Sequence, residues 1–156
     1  MATLMRIAAL VLLLATANLP ASGQSQTTEA AISARLNNQP LYLRGCWRGS
    51  KLNFDSSGQL KGRSDPLTFT LSGFELERAS LKQNRLVLEG RRVGLEFDRN
   101  MPMRVPLNSG TPIRHHDLHV KINIDAPAGG DYSRALDAIF VNGLAELAPP
   151  ESRPRP

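Results

Sequence analysis

Apolar and polar side chains alternate without a break along residues 118–125 (LHVKINID). Successive side chains of a β-strand point to opposite faces, so this alternation predicts a strand with one buried and one solvated face. The predicted buried face carries Leu118, Val120, Ile122 and Ile124. The same pattern recurs through much of the chain and predicts a β protein.

Shorter alternating segments extend toward the amino terminus and predict further strands. Because Pro102 and Pro106 cannot donate hydrogen bonds to a sheet, residues 101–106 fit only an edge strand. Residues 60–63 are interpreted as the second arm of a hairpin, and residues 90–92 (GRR) as a turn or a bulge. The other predicted strands cover residues 41–48, 51–55, 67–71, 74–79, 86–88 and 93–98.

Two helices flank the predicted strands. Residues 28–37 carry good helix formers behind a capping Thr28, and Pro40 ends this segment. A second helix is predicted from Tyr132 to Phe140 or Val141. The expected fold is therefore mainly β: an antiparallel meander curled into a partial barrel or sandwich, with a short N-terminal and a short C-terminal helix.

The amino terminus predicts export. Residues 7–17 (IAALVLLLATA) follow Arg6 and are too short to span a bilayer, which needs roughly 20 apolar residues. A basic start and an apolar segment followed by small residues are typical of a secretory signal cleaved near Gly23, which makes the protein periplasmic or secreted. We expect a signal peptide, a linker, one β-rich domain and a disordered proline-rich tail at residues 1–23, 24–29, 30–147 and 148–156.

Length, charge and cysteine content exclude several function classes. A chain of 156 residues, 41% hydrophobic and 21% charged, suits one ordinary domain and not a large multidomain enzyme. Acidic residues are interspersed within the net charge of +5, so we expect no nucleic-acid partner, and no transmembrane segment in the mature chain. The single cysteine, Cys46, excludes an intramolecular disulfide and leaves a small buried side chain, a reactive thiol or a disulfide dimer as interpretations.

All three histidines of the chain lie within residues 115–119 (HHDLH). On a strand, His115, Asp117 and His119 point to one side, and two imidazoles with a carboxylate can ligate zinc or copper. No fourth ligand is assigned, and the alternative is a polar face at the start of a strand. No other cofactor is expected.

Four further residues are candidates for binding. Arg91 and Arg92 could hold an anion, or they could form an exposed turn. Tyr42 and Trp47 could line a ligand cleft, although Trp47 shares a strand face with apolar neighbours and so favours the core.

No residue is assigned a catalytic role. Glu75 and Glu77 share a predicted strand face, which suits either a pair of catalytic carboxylates or an ordinary solvated face. The chain contains no nucleophile elbow, no phosphate-binding loop and no dinucleotide fingerprint. The sequence therefore favours a protein that is not an enzyme.

Several segments together resemble a known family. The stretches LYLRG, GSKLNFDSSGQLKG, NRLVLEGRRV and LEFD are similar to a β-rich domain of acidobacterial exported proteins, which often precedes a TonB-type C-terminal domain. The resemblance covers roughly residues 28–147 and implies a cell-envelope module, with no catalytic residue to carry over. Because a proline-rich tail stands where that C-terminal domain would follow, we do not expect the chain to transduce energy by itself.

The leading interpretation is a non-enzymatic module that binds an envelope protein, a peptide or a glycan. Binding could occur by strand addition at the edge strand 101–106, or in a cleft between sheet and helix. Two alternatives stay open. One is a carrier that encloses a small apolar ligand within the curled sheet, and the other is a metal-dependent hydrolase built on the histidine cluster.

Overall fold

The computed structural model describes residues 28–37, 39–99, 101–107, 118–141 and 143. The predicted signal peptide, most of the predicted linker and the predicted C-terminal tail lie outside these residues. The elements in chain order are α1 (Glu29–Asn37), β1 (Leu41–Leu43), β2 (Lys51–Phe54), a 3-10 helix (Phe69–Leu71), β3 (Gly73–Lys82), β4 (Arg85–Asp98), β5 (Met101–Pro106), β6 (His119–Asp125), α2 (Ser133–Ile139) and β7 (Phe140–Val141).

The seven strands form one sheet, which confirms the mainly β fold class. Its order is β2-β6-β4-β3-β1-β7, and β5 also pairs with β4. The pair β2 and β6 is parallel, and the other described strand pairs are antiparallel. The sheet curls into a half-barrel accompanied by the two short helices.

The long strand β4 organises the sheet because it pairs with three other strands. Residues 85–93 of β4 pair with β3 on one edge, and residues 85–91 pair with β6 on the other. Val93 pairs with Gly73 on the first edge and with Pro106 of β5 on the second. The strands β5 and β6 therefore follow one another along the same edge of β4. Between them, the Arg92 N–H donates to the Leu118 carbonyl at 2.8 Å.

The core lies on the inner face of the sheet, defined here as the face that carries Leu86, Leu88, Ile122 and Ile124. These four side chains are fully buried. Both helices pack their apolar residues against this face, because burying an apolar stripe on an apolar sheet face removes both from water. The helical and loop contributions to the core are Ile32, Leu36, Tyr132, Ala135, Leu136 and Ile139.

Two predicted features in the middle of the chain are wrong. Residues 67–71 alternate like a strand, but residues 69–71 form the 3-10 helix, closed by a hydrogen bond from the Leu71 N–H to the Thr68 carbonyl at 3.0 Å. Residues 90–92 are not a turn, because β4 runs straight through them, and the bulge at this place lies on β3, between the partners of Gly90 and Glu89. Gly90 is required there for close packing: a Cβ atom would lie 2.2 Å from the Glu75 carbonyl oxygen.

Other predicted elements are confirmed with changed bounds. The helices at 28–37 and near 132–140 correspond to α1 and α2. The predicted strand 41–48 is shorter, since β1 ends at Leu43 and Cys46 has a left-handed φ of 47°. The predicted hairpin arm at 60–63 amounts to one isolated bridge between Phe54 and Leu60.

Candidate functional site

The outer face of the sheet, opposite the core, carries charged side chains on three adjacent strands. Two adjoining cavities of about 400 Å³ and about 150 Å³ open on this face, and His119 lines both. We call these two cavities together the polar groove. Its polar lining comes from Ser50, Glu75, Glu77, Glu89, Arg91, Arg92, His119 and Lys121.

A β-bulge in β3 shapes one wall of the groove. The register between β3 and β4 shifts between Leu76 and Arg78, so Glu77 is the extra residue. Bulges re-aim side chains in this way. As a result Glu75 and Glu77 both reach Arg91, with Nη2 to Oε2 at 3.5 Å and Nε to Oε1 at 2.8 Å.

Cross-strand pairing shapes the opposite wall. Glu89 of β4 and Lys121 of β6 are directly opposite in the ladder, and their Oε1 and Nζ atoms lie 2.8 Å apart. The hydrogen bond from Lys121, followed by the charge of Lys121, lowers the pKa of Glu89 below its ordinary value. The Lys121 N–H donates to the Ser50 carbonyl at 2.8 Å, which holds the start of β2 beside the groove.

The groove lies where the second edge of β4 changes partners. Pro106 ends β5 and Leu107 follows it, whereas Leu118 precedes β6 and His119 begins it; these four residues line the smaller cavity. Because the ladder on this edge is interrupted between β5 and β6, the outer face has a depression there. The groove can therefore offer carboxylates, cations and hydroxyl groups to a ligand lying across several strands.

Arg91 and Arg92 both line the smaller cavity of the groove, but the Arg92 side chain is buried in the core. Arg91 is exposed, and the two glutamates of β3 neutralise its charge. Arg92 is only 2% exposed. Its guanidinium donates to the carbonyls of Trp47 at 2.6 Å and Gly49 at 3.2 Å, so it clamps the loop between β1 and β2.

Tyr42 and Trp47 lie apart from the groove, and the two side chains pack against different residues. Tyr42 is 5% exposed and packs with Leu95 and Val141 in a small cluster. Trp47 is half-buried against the core, with its ring edge-on to Phe54 at a centroid distance of 5.0 Å. Aromatic pairs of this geometry stabilise a core, so the contacts of Trp47 are those of a packing residue.

The predicted metal site can be followed only in part. His115 and Asp117 lie outside the described residues, and His119 is exposed at the groove. Within the described ranges, no group of three potential metal-ligating side chains comes together.

Cys46 is half-buried in the loop after β1. Burial raises the pKa of its thiol, and the nearby positive charge of Arg92 partly opposes this increase. A thiol held mostly in its neutral form is a poor nucleophile at neutral pH.

Sequence reasoning missed Ser50 and Lys121 as groove residues and gave Glu75 and Glu77 no partner. The alternation of residues in β3, β4 and β6 places the charged side chains of these strands on the outer face, and this alternation is visible in the sequence. The sequence does not show which strands are neighbours, and the bulge at Glu77 has no marker in it. The ion pairs can therefore be identified only when the register between the strands is known.

Among the residues that the structure describes, no helix is long and apolar enough to cross a bilayer. Comparisons of the chain with protein-family models, with curated proteins and with solved structures found no match. The geometry of the chain itself is thus the basis for a functional proposal.

Proposed function

We propose that this protein is an exported, non-enzymatic binding module whose polar groove holds an extended, charged peptide segment of an envelope protein. The observation that carries the proposal is the pair of adjoining cavities that share His119 and cross β6, β4 and β3. A depression that crosses several strands suits a linear ligand better than a compact one. The apolar leader at residues 7–17 and the resemblance to an envelope domain support the location.

The lining of the groove favours a peptide over a glycan. Glu77, Glu89 and Lys121 present charges of both signs, which match the mixed charges of a polypeptide. The described lining of the two cavities includes no Trp, Tyr or Phe ring on which the face of a sugar could stack. Hydrogen bonds and charge complementarity would therefore provide most of the specificity.

The ion pairs of the groove support binding and not catalysis. Glu75 and Glu77 share Arg91, and Glu89 is held by Lys121. A catalytic general acid needs a carboxyl with a raised pKa. The pKa of Glu89 is instead lowered, so this group remains charged.

Strand addition at β5 receives less support than the groove. On an edge strand, the nitrogen of a proline faces solvent. Pro102, Arg104 and Pro106 alternate along β5, so their backbone nitrogens point to the same edge. An added strand on the outer edge of β5 would therefore find only the Arg104 N–H as a donor. Ladder hydrogen bonds are the main source of affinity in strand addition, and this edge supplies few of them.

The carrier alternative also receives less support. The inner face of the half-barrel is filled by side chains of both helices, including Leu36 and Leu136. A carrier would need a cavity of roughly 300 Å³ or more in this space. The two cavities of the polar groove lie outside this core.

The proposal can be tested by screening a library of charged peptides against the purified protein. Lys121→Glu and Glu89→Lys should each weaken the best peptide about tenfold, because each reverses a charge in the groove. Lys61→Glu is the matched control, since Lys61 forms an exposed ion pair with Asp125 at 2.7 Å outside the groove. Equal binding by all three variants, or failure of every peptide to bind, would overturn the proposal.

A further inference from the structure

A third cavity, of about 390 Å³, lies where the C-terminal end of α1 meets the start of β1 and β3. We call it the α1 pocket. Its polar lining comes from Asn37, Gln39, Glu75 and Arg104. Its apolar lining comes from the nearly fully buried Leu36, Leu41 and Phe74 and the half-buried Leu76. The volume is that of a small-molecule site.

Arg104 reaches the α1 pocket from β5 and is held there by uncharged groups. Its Nη2 atom donates to the Phe74 carbonyl at 2.7 Å, and its guanidinium carbon lies 5.9 Å from the centroid of the Tyr42 ring. The Tyr42 ring is itself fixed by Leu95 and Val141. An exposed guanidinium has five N–H donors, so a positioned arginine of this kind is well suited to bind a carboxylate.

Glu75 supplies the opposite charge in the same pocket. Its contact with Arg91 is long, at 3.5 Å, because Arg91 makes its closer ion pair, at 2.8 Å, with Glu77. Glu75 is exposed and lines the α1 pocket as well as the smaller cavity of the groove. The last turn of α1 ends at Asn37, and the partial negative charge of a helix C-terminus also favours a cation.

We propose that the α1 pocket binds a free α-amino acid with a short polar side chain. Its carboxylate would bind Arg104 and its ammonium group Glu75, while the amides of Asn37 and Gln39 would bind the side chain. The reason is that one small polar cavity holds a fixed positive charge and a weakly engaged negative charge, which suits a zwitterion. The proposal does not depend on peptide binding in the polar groove, although Glu75 lines both sites.

Calorimetric titration of the purified protein with L-serine, L-asparagine and L-glutamine tests the proposal. Acetate and methylammonium, which carry one charge each, are the comparison ligands. We expect at least one of the amino acids to bind, and both single-charge ligands to bind at least tenfold more weakly, because each loses a charge-assisted contact. No binding by any amino acid, or equally tight binding of acetate, would overturn the proposal.

Variants separate the α1 pocket from the groove and from the fold. Arg104→Gln and Glu75→Gln should each weaken the amino acid about tenfold, whereas Lys121→Glu should leave it unchanged. Because Arg104 also supports Tyr42, Gln39→Ala is a milder variant that should weaken the amino acid without changing the thermal unfolding temperature. Unchanged binding by Arg104→Gln or Gln39→Ala would contradict the site. Loss of amino-acid binding in Lys121→Glu would place the ligand in the groove instead.

Discussion

Arg91 and Arg92 are neighbours in β4, yet they belong to two different regions of the molecule. Arg91 lies on the outer face, exposed and shared by Glu75 and Glu77. Arg92 lies on the inner face, 2% exposed, and binds the carbonyls of Trp47 and Gly49. The sequence assigns both residues the same candidate role. For these two residues, strand parity separates an exposed side chain of the binding face from a buried side chain of the core.

The same division applies to the whole sheet. On the inner face, apolar side chains and one clamped guanidinium exclude water, so substitutions there should change the free energy of unfolding. On the outer face, exposed ion pairs contribute little to stability, so substitutions there should change binding. Four experiments test this division between the two faces.

The largest effect is expected for Arg92→Met. This change leaves the Trp47 and Gly49 carbonyls without the charged donor that binds them now, and each such hydrogen bond is worth about 1.5–3 kcal/mol. We expect the free energy of unfolding in urea to fall by about 3 kcal/mol or more. Arg91→Met is the matched control and should lower it by less than about 1 kcal/mol, since its partners are exposed. Equal losses for the two variants would contradict the division between the faces.

Trp47→Ala should follow in size. Trp47 packs edge-on against Phe54, and a Cβ atom at Gly45 would lie 2.0 Å from its ring, so the indole lies directly against the Gly45 backbone. Its removal leaves a cavity, and we expect a loss of about 3 kcal/mol measured by urea unfolding. A change near zero, combined with lost ligand binding, would instead show that Trp47 lines a site.

A smaller effect is expected on the reactivity of Cys46. Burial raises the pKa of its thiol, so the folded protein holds less thiolate than the unfolded chain at the same pH. We expect iodoacetamide to alkylate Cys46 several-fold more slowly in buffer than in urea at pH 8. Arg92→Met should slow the reaction further, because the charge of Arg92 lowers this pKa. Faster alkylation of the folded protein would indicate an activated thiol.

The smallest effect concerns Asp55 in the solvated turn after β2. Hydrogen bonds from the Ser57 side chain and the Gln59 N–H are the main causes that lower the pKa of Asp55 below its ordinary value of 3.8. A lowered folded-state pKa stabilises the protein above the unfolded-state pKa, and this contribution is lost as the pH falls through the folded-state pKa. Asp55→Asn should therefore reduce the acid sensitivity of the urea midpoint below about pH 4. An unchanged decrease of the urea midpoint at acid pH would show that the turn does not depend on the charge of Asp55.

The strands could be predicted where one face is buried and the alternation is uninterrupted. Residues 118–125 led directly to β6, because its inner-face side chains are Val120, Ile122 and Ile124. The turn predicted at residues 90–92 was wrong because a glycine can have two structural roles. Gly90 can mark a turn or permit close packing, and only the nearby Glu75 backbone shows that packing is the reason. The parallel pair of β2 and β6 joins distant segments, and no local pattern indicates it.

The candidate site was less predictable than the fold. The sequence placed Glu75 and Glu77 on one solvated face, as observed, but it could not place Arg91 between them. That position depends on the β3–β4 register and on the bulge at Glu77. Likewise Lys121 acquires a role only as the cross-strand partner of Glu89.

The proposed function places the peptide on the outer face and not along an edge strand. Carboxyl footprinting tests it most directly: exposed carboxylates are labelled with a carbodiimide and an amine, with and without the best peptide from the library. We predict that the peptide protects Glu77 and Glu89 in the groove. Glu96, which pairs with Met103 of β5, should be labelled equally in both samples. Protection of Glu96 with unchanged labelling of Glu77 and Glu89 would contradict the account and assign binding to the β5 edge.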